Sequence, residues 1–205
     1  MLRVGLTGGL ASGKSFVGDA LAGMDCLLIK ADDIGHLVLE PAGEAYDAVI
    51  EEFGRDILDA NDAVDRRVLA ARVFGQPESL KKLNALVHPP VRARIGNLVA
   101  EFERRDPDGI AIIEAAILIE TGTYRGYDRL ILVVCREDQQ IERAMARDHL
   151  TREEVVVRLS RQMPLAEKVK YADYVIDTSG TKESTLQQTG EVYALLRRYA
   201  AGRGA

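Results

Sequence analysis

Leu2-Arg3-Val4-Gly5-Leu6-Thr7-Gly8-Gly9-Leu10-Ala11-Ser12-Gly13-Lys14-Ser15 opens the chain, and its reading decides the fold. The last eight of these residues spell G-x-x-x-x-G-K-S, the phosphate-binding loop of nucleoside triphosphate proteins. Leu2 to Thr7, before the loop, has the apolar run of a short buried strand. Phe16 to Ala22, after it, has helical spacing, with Val17 and Leu21 on one face. In a strand–loop–helix setting, loop amides and the helix N-terminus face phosphate oxygens. Gly9, Leu10, Ala11, Ser12, Gly13, Lys14, Ser15 and Phe16 are therefore the candidate nucleotide contacts. Lys14 is placed to reach the β and γ groups, and the Ser15 hydroxyl to hold Mg²⁺.

Further apolar runs alternate with helical patterns along the chain. Cys26 to Ala31 reads as a second strand ending at Asp32-Asp33, Ile110 to Ile113 as a third leading into Glu114. Arg129 to Val134 is a fourth and Tyr174 to Ile176 a fifth, ending at Asp177. The unbroken apolar character of I-A-I-I suits a strand buried on both faces. Helical spacing covers Ala45 to Phe53, stopped by Gly54, then Val64 to Phe74 and Leu80 to Val87. His88-Pro89-Pro90 breaks the pattern, and Val91 to Phe102 resumes it with Ile95, Leu98, Val99 and Phe102 inward. Gln139 to Leu150, Arg152 to Arg161 and Thr185 to Tyr199 complete the helices, with Ala200 to Ala205 as a frayed tail. Alternating strands and helices predict a five-stranded parallel sheet with right-handed crossovers. Ligands of such sheets bind beyond the carboxyl ends of the strands, which here carry the loop, Asp32-Asp33, Glu114 and Asp177.

The bulk properties agree with one buried α/β core and a modest insertion in 205 residues. Hydrophobic residues make up 47% and charged residues 29%, ordinary values for a soluble protein. A net charge of −5 argues against a nucleic-acid partner. Cys26 and Cys135 each adjoin apolar runs and read as buried small hydrophobes, and no Cys/His cluster offers a zinc site. No leader and no apolar run of about 20 residues is present, so no membrane association is expected and a reducing cytoplasm is the default location.

Read in order, the chain also carries A-D-D-I-G-H, L-N-A-L-V-H-P, E-A-A-I-L-I-E, R-A-M-A-R-D, S-R-Q-M-P and A-D-Y-V-I-D-T-S-G. Together with the loop, these stretches resemble the dephospho-CoA kinase family from residue 2 to about residue 196. The resemblance implies transfer of the γ-phosphoryl group of ATP, with Mg²⁺, to the ribose 3′-hydroxyl of dephospho-CoA in the last step of coenzyme A synthesis. It implies a nucleotide-kinase-like core over residues 1–60 and 108–205, with a lid at about 140–165. Residues 61–107 would form a helical insertion that binds the acceptor.

Site residues follow from the same likeness. Asp32, at the end of the second strand, matches the second acid of the family's D-x-D, the base or Mg²⁺-organising carboxylate. Lys30 stands where the first acid would be, and alternation along an extended segment points Asp33 away from Asp32. Arg143 and Arg147 share one helix face at i, i+4 spacing. The resemblance places them over the transferring phosphoryl group, Arg143 toward ATP and Arg147 toward catalysis, with Arg161 of S-R-Q-M-P a third candidate on the substrate side. His88 is read as contacting the acceptor or organising the helical insertion, and Glu114 as serving the Mg²⁺ shell or the acceptor. Ala116 replaces the family's Pro. Thr178-Ser179-Gly180 replaces Asn-x-Gly, with Gly180 still framing the adenine. His36 and His149 are read as surface residues.

Two other readings remain open on the residues alone. Another small-molecule kinase would share the loop and lid but lacks L-N-x-L-x-H-P and Q-M-P. A GTP-dependent switch would use Asp32-Asp33-Ile34-Gly35 as D-x-x-G, but no N-K-x-D for guanine accompanies it. A dinucleotide-binding dehydrogenase is excluded because no G-x-G-x-x-G follows the first strand.

Overall fold

The computed structural model describes residues 1–202. The chain divides into two compact units, Met1–Ile29 with the chain from Phe102 onward, and Lys30–Glu101.

The first unit is built on a five-stranded parallel sheet in the order β2-β3-β1-β4-β5. Its strands are β1 (Leu2–Gly8), β2 (Leu27–Lys30), β3 (Ile110–Glu114), β4 (Arg129–Val134) and β5 (Tyr174–Asp177). β1 sits at the centre, with Leu6 in register with Glu114 on one side and Ile131 on the other. All five residues of β3 are buried, as its unbroken apolar character predicts. Leu2, Val4, Leu6, Ile112, Ile131 and Ile176 pack with Val17 and Leu21 of α1 (Lys14–Ala22), and with Val192 and Leu196 near the chain's end. Each fully buried side chain of this size contributes about 1.5–3 kcal/mol. The strand ends therefore stay fixed while the loops beyond them carry chemistry.

The second unit holds α2 (Ala31–Leu37), α3 (Tyr46–Phe53), α4 (Arg66–Val73) and most of α5 (Pro77–Arg105). It runs from Lys30 to Glu101. Arg94 bonds to Glu44 at 2.7 Å and Lys82 to Glu52 at 2.6 Å. Exposed pairs of this kind add little stability; the first ties α5 to the turn before α3, the second ties α5 to α3.

Three local expectations are corrected. β2 ends at Lys30 and α2 begins at Ala31, so Asp32 and Asp33 lie in the first turn of a helix, not at the end of a strand. Two acids there suit the positive end of the helix dipole. Strand alternation thus gives no ground for choosing between them. His88-Pro89-Pro90 does not split two helices, since α5 runs unbroken for 29 residues. The prolines remove the donors for the Ala85 and Leu86 carbonyls. Yet the half-buried stripe Leu83, Leu86, Val87, Pro90, Val91 and Ile95 keeps one helical phase across the break, so packing holds the helix together. Leu98, expected inward, is 39% exposed, whereas Val99 and Phe102 are buried.

The rest of the first unit comprises α6 (Glu137–Asp148), α7 (Arg152–Leu159), the short α8 (Leu165–Lys168) and α9 (Lys182–Ala201). Ala200 and Ala201, assigned to the frayed tail, complete α9, and residues 203–205 of that tail lie outside the described residues. Among the described residues no helix is long and apolar enough to cross a membrane.

Candidate active site

The loop between β1 and α1 is shaped by two glycines with different tasks. Gly13 caps α1 at φ 89°, a left-handed backbone that favours glycine. No side chain caps α1 and no acid stands in its first turn, which leaves its N-terminus suited to an anion. Gly9 leaves space for a side chain: a Cβ there would stand 2.3 Å from the Gln140 amide nitrogen and push it aside. Lys14 reaches back over the loop, its Nζ donating to the Gly9 carbonyl at 3.2 Å.

Beside Lys14, the Ser15 hydroxyl donates to Glu114 Oε1 at 3.0 Å. Glu114 closes β3 and is 8% exposed, and Oε2 faces Gly18, where an added Cβ would lie 3.2 Å away. A hydroxyl and a carboxylate are hard oxygen donors, the kind Mg²⁺ takes alongside phosphate oxygens and water. The pair therefore fits that ion. Among the described residues no group of three or more His, Cys, Asp or Glu gathers as a cage.

Sequence reasoning missed the polar side chains that hold the loop. Gln140 of α6, 3% exposed, donates from its amide to the Leu10 carbonyl at 2.7 Å. Gln162, after α7, accepts from the Leu10 amide at 2.9 Å. Thr178 donates to the Ser12 carbonyl at 2.8 Å. Arg143 forks onto Thr178, with Nη1 on Oγ1 at 2.9 Å and Nη2 on the carbonyl at 2.8 Å. Arg143 thus grips β5's exit and, through Thr178, the loop. The Thr178 hydroxyl that replaces the family's Asn does structural work on the loop. Gln162 lies inside the quoted S-R-Q-M-P stretch and Thr178 inside A-D-Y-V-I-D-T-S-G, but neither stretch showed which backbone group the side chain would hold, and Gln140 lies in no quoted motif.

The other candidates are scattered more widely. Arg147 is held by its neighbour, with Nε and Nη2 on the two Asp148 oxygens at 2.7 and 2.9 Å. That bond and pairing lower the Asp148 carboxyl below the usual range. Arg161 is exposed in the turn after α7, and Gly180 is exposed between β5 and α9. Phe16 is half-buried in the first turn of α1. In the second unit Asp32 is exposed in α2, and His88 is half-buried in α5. Burial, reinforced by the Arg92 charge one turn on, lowers the His88 pKa below 6.5, so its imidazole is neutral at pH 7. Cys26 and Cys135 are both buried, as expected. Burial pushes the Cys26 thiol up to about 12, which removes it as a nucleophile.

A parallel sheet with G-x-x-x-x-G-K-S at the exit of its central strand, and a serine–carboxylate pair beside it, defines a phosphate-loop kinase. The fold of shikimate kinase from Bacteroides thetaiotaomicron is similar, at TM-score 0.51 and 14% identity over 95% of this chain and 98% of that one. Residues 2–184 match the family model described as dephospho-CoA kinase. The chain belongs to the dephospho-CoA kinase family. It is 39% identical to the dephospho-CoA kinase of Geobacillus kaustophilus over 98% of both chains. It is 38% identical to that of Aquifex aeolicus over 97% and 99%. The crystal structure of dephospho-CoA kinase from Campylobacter jejuni has TM-score 0.71 at 25% identity, covering 96% of this chain and 97% of that one.

Proposed function

We propose that the chain transfers the γ-phosphoryl group of Mg-ATP to the ribose 3′-hydroxyl of dephospho-CoA, giving coenzyme A and ADP. The observation that carries this reading is the Ser15–Glu114 pair at 3.0 Å beside Lys14, on a chain of this family. Phosphoryl transfer asks the protein for positioning and charge stabilisation more than for covalent chemistry.

The loop amides other than that of Leu10, together with α1, cradle the phosphates, and Lys14 carries its charge to the β and γ groups. Ser15 and Glu114 would hold Mg²⁺, which supplies charge neutralisation at the β and γ oxygens. Asp32 orients the attacking hydroxyl and accepts its proton. Residues of about 140–165 serve as the lid, where Arg147 and Arg161 exchange their present partners for the transferring group. Arg143 orders the nucleotide side through Thr178, with Gly180 near the base. The helical unit takes the acceptor, with neutral His88 as a hydrogen-bonding contact.

Phosphorus NMR of the product tests this assignment. Wild-type enzyme with Mg-ATP and dephospho-CoA is expected to yield one new 3′-phosphomonoester resonance. A phosphorylated product at any other position, or none, would overturn the proposal.

A further inference from the structure

We infer that Gln162 is a positioning residue for the phosphoryl donor, acting through the peptide group of Leu10. The inference rests on the kinase reading only for its kinetic arm. Leu10 stands in the middle of the phosphate loop, and both polar atoms flanking its α-carbon are held by side chains from outside the loop. Gln162 Oε1 takes its N–H at 2.9 Å, and Gln140 Nε2 gives to its carbonyl at 2.7 Å. The Leu10 side chain packs against Ile141, Ala144 and Val155, so α6 and α7 meet the loop by apolar contact as well.

The Gln162 turn is itself anchored. The next residue, Met163, donates its amide to Glu120 Oε1 at 3.3 Å. The same oxygen stands 2.8 Å from Lys168 Nζ, an ion pair more than an aligned hydrogen bond. Lys168 is fully buried, and a charge in that setting is tolerated only when paired. Glu120 closes the segment that Glu114 opens. One stretch of chain thus fixes Ser15 at its start and the Gln162 turn at its end. The Lys168–Glu120 pair thus anchors the turn that carries Gln162.

The bond persists when nucleotide binds, because it fixes the loop's shape and does not compete for phosphate. Two arms test this on the full chain. Hydrogen exchange of the Leu10 amide, measured without nucleotide, should be faster in Gln162→Met and close to wild type in Gln162→Glu, which keeps an acceptor oxygen. Unchanged Leu10 exchange in Gln162→Met would overturn the inference whether or not the enzyme phosphorylates dephospho-CoA.

In the kinetic arm, Gln162→Met should raise the KM for Mg-ATP roughly 3- to 10-fold, the range of one net hydrogen bond, with the KM for dephospho-CoA unchanged. Tighter Mg-ATP binding would show that Gln162 competes with phosphate, and an equal rise in both KM values would show a merely structural role. Lys168→Met should produce the same split, and the double variant should exceed the larger single effect by less than 2-fold. Fully additive effects would separate the anchor from Gln162. If Lys168→Met does not fold, Gln162→Met and Gln162→Glu decide the matter alone.

Discussion

Gly9 and Gly13 show how much of a site can be decided by single residues: one leaves room for Gln140, the other adopts φ 89°. Lys14, next to Gly13, opens α1, and in the proposed mechanism it carries the charge on which transfer depends. Lys14→Ala is expected to lower turnover by about 10³ or more, the scale of a cation acting on the transferring group. Near-normal turnover in a steady-state assay would refute the role. Glu114→Gln keeps a hydrogen bond to Ser15 but removes a charge from the ion site. It should cost roughly 10- to 100-fold in activity and demand more Mg²⁺ for half-saturation; a Mg²⁺ titration checks this. His88 gives a pH signature. Its folded pKa lies below the unfolded value near 6.5, so the unfolded chain binds the proton more tightly. Its contribution to stability is fully present above about pH 6.5 and is lost as pH falls through the folded pKa. His88→Gln should flatten that slope in urea unfolding measured between pH 7 and pH 5. Glu114 was legible in the sequence because an acid at the end of an apolar strand stands out. Gln140, Gln162 and Thr178 were not, since neutral polar side chains on helices and turns look the same whether they bond to solvent or to a distant loop.

At the scale of elements, what was legible followed from periodicity. The β3 and β4 runs are continuous and apolar, and β4 spans Arg129–Val134 as expected. The misread stretches are those where local rules lose to packing. Pro89 and Pro90 read as a helix end, yet α5 continues through them on a stripe that never changes phase. β2 passes into α2 with no turn residue to mark the change, so the two acids were placed on a strand. α8 has only four residues, too few to show a period. α7 begins at Arg152, as expected, with Thr151 as its N-cap. The Thr151 hydroxyl and the Glu154 carboxylate close a capping box on α7. Thr151→Ala should cost α7 about 1 kcal/mol. The check is exchange of the first-turn amides of α7, which should speed up while those of β1 and β3 stay unchanged. Faster exchange in the sheet would mean that α7 is not an independent local element.

For the whole molecule, the proposed function gives phosphate to the loop, while the acceptor is a property of the entire chain. The helical unit, Lys30–Glu101, contains Asp32 and His88, and the unit built on the sheet contains the loop, Glu114 and the α6–α7 arm. The sequence displayed both groups as motifs. The division at Lys30 was not legible, because no local sequence pattern marks it. An acceptor assay joins the two halves in one number. ATP consumption should be measured with Mg²⁺ and, in turn, dephospho-CoA, AMP, adenosine and no acceptor. The account predicts rapid ADP formation strictly dependent on dephospho-CoA, with the other three near background. Equal or faster turnover with AMP or adenosine, or ATP hydrolysis indifferent to any acceptor, would contradict it.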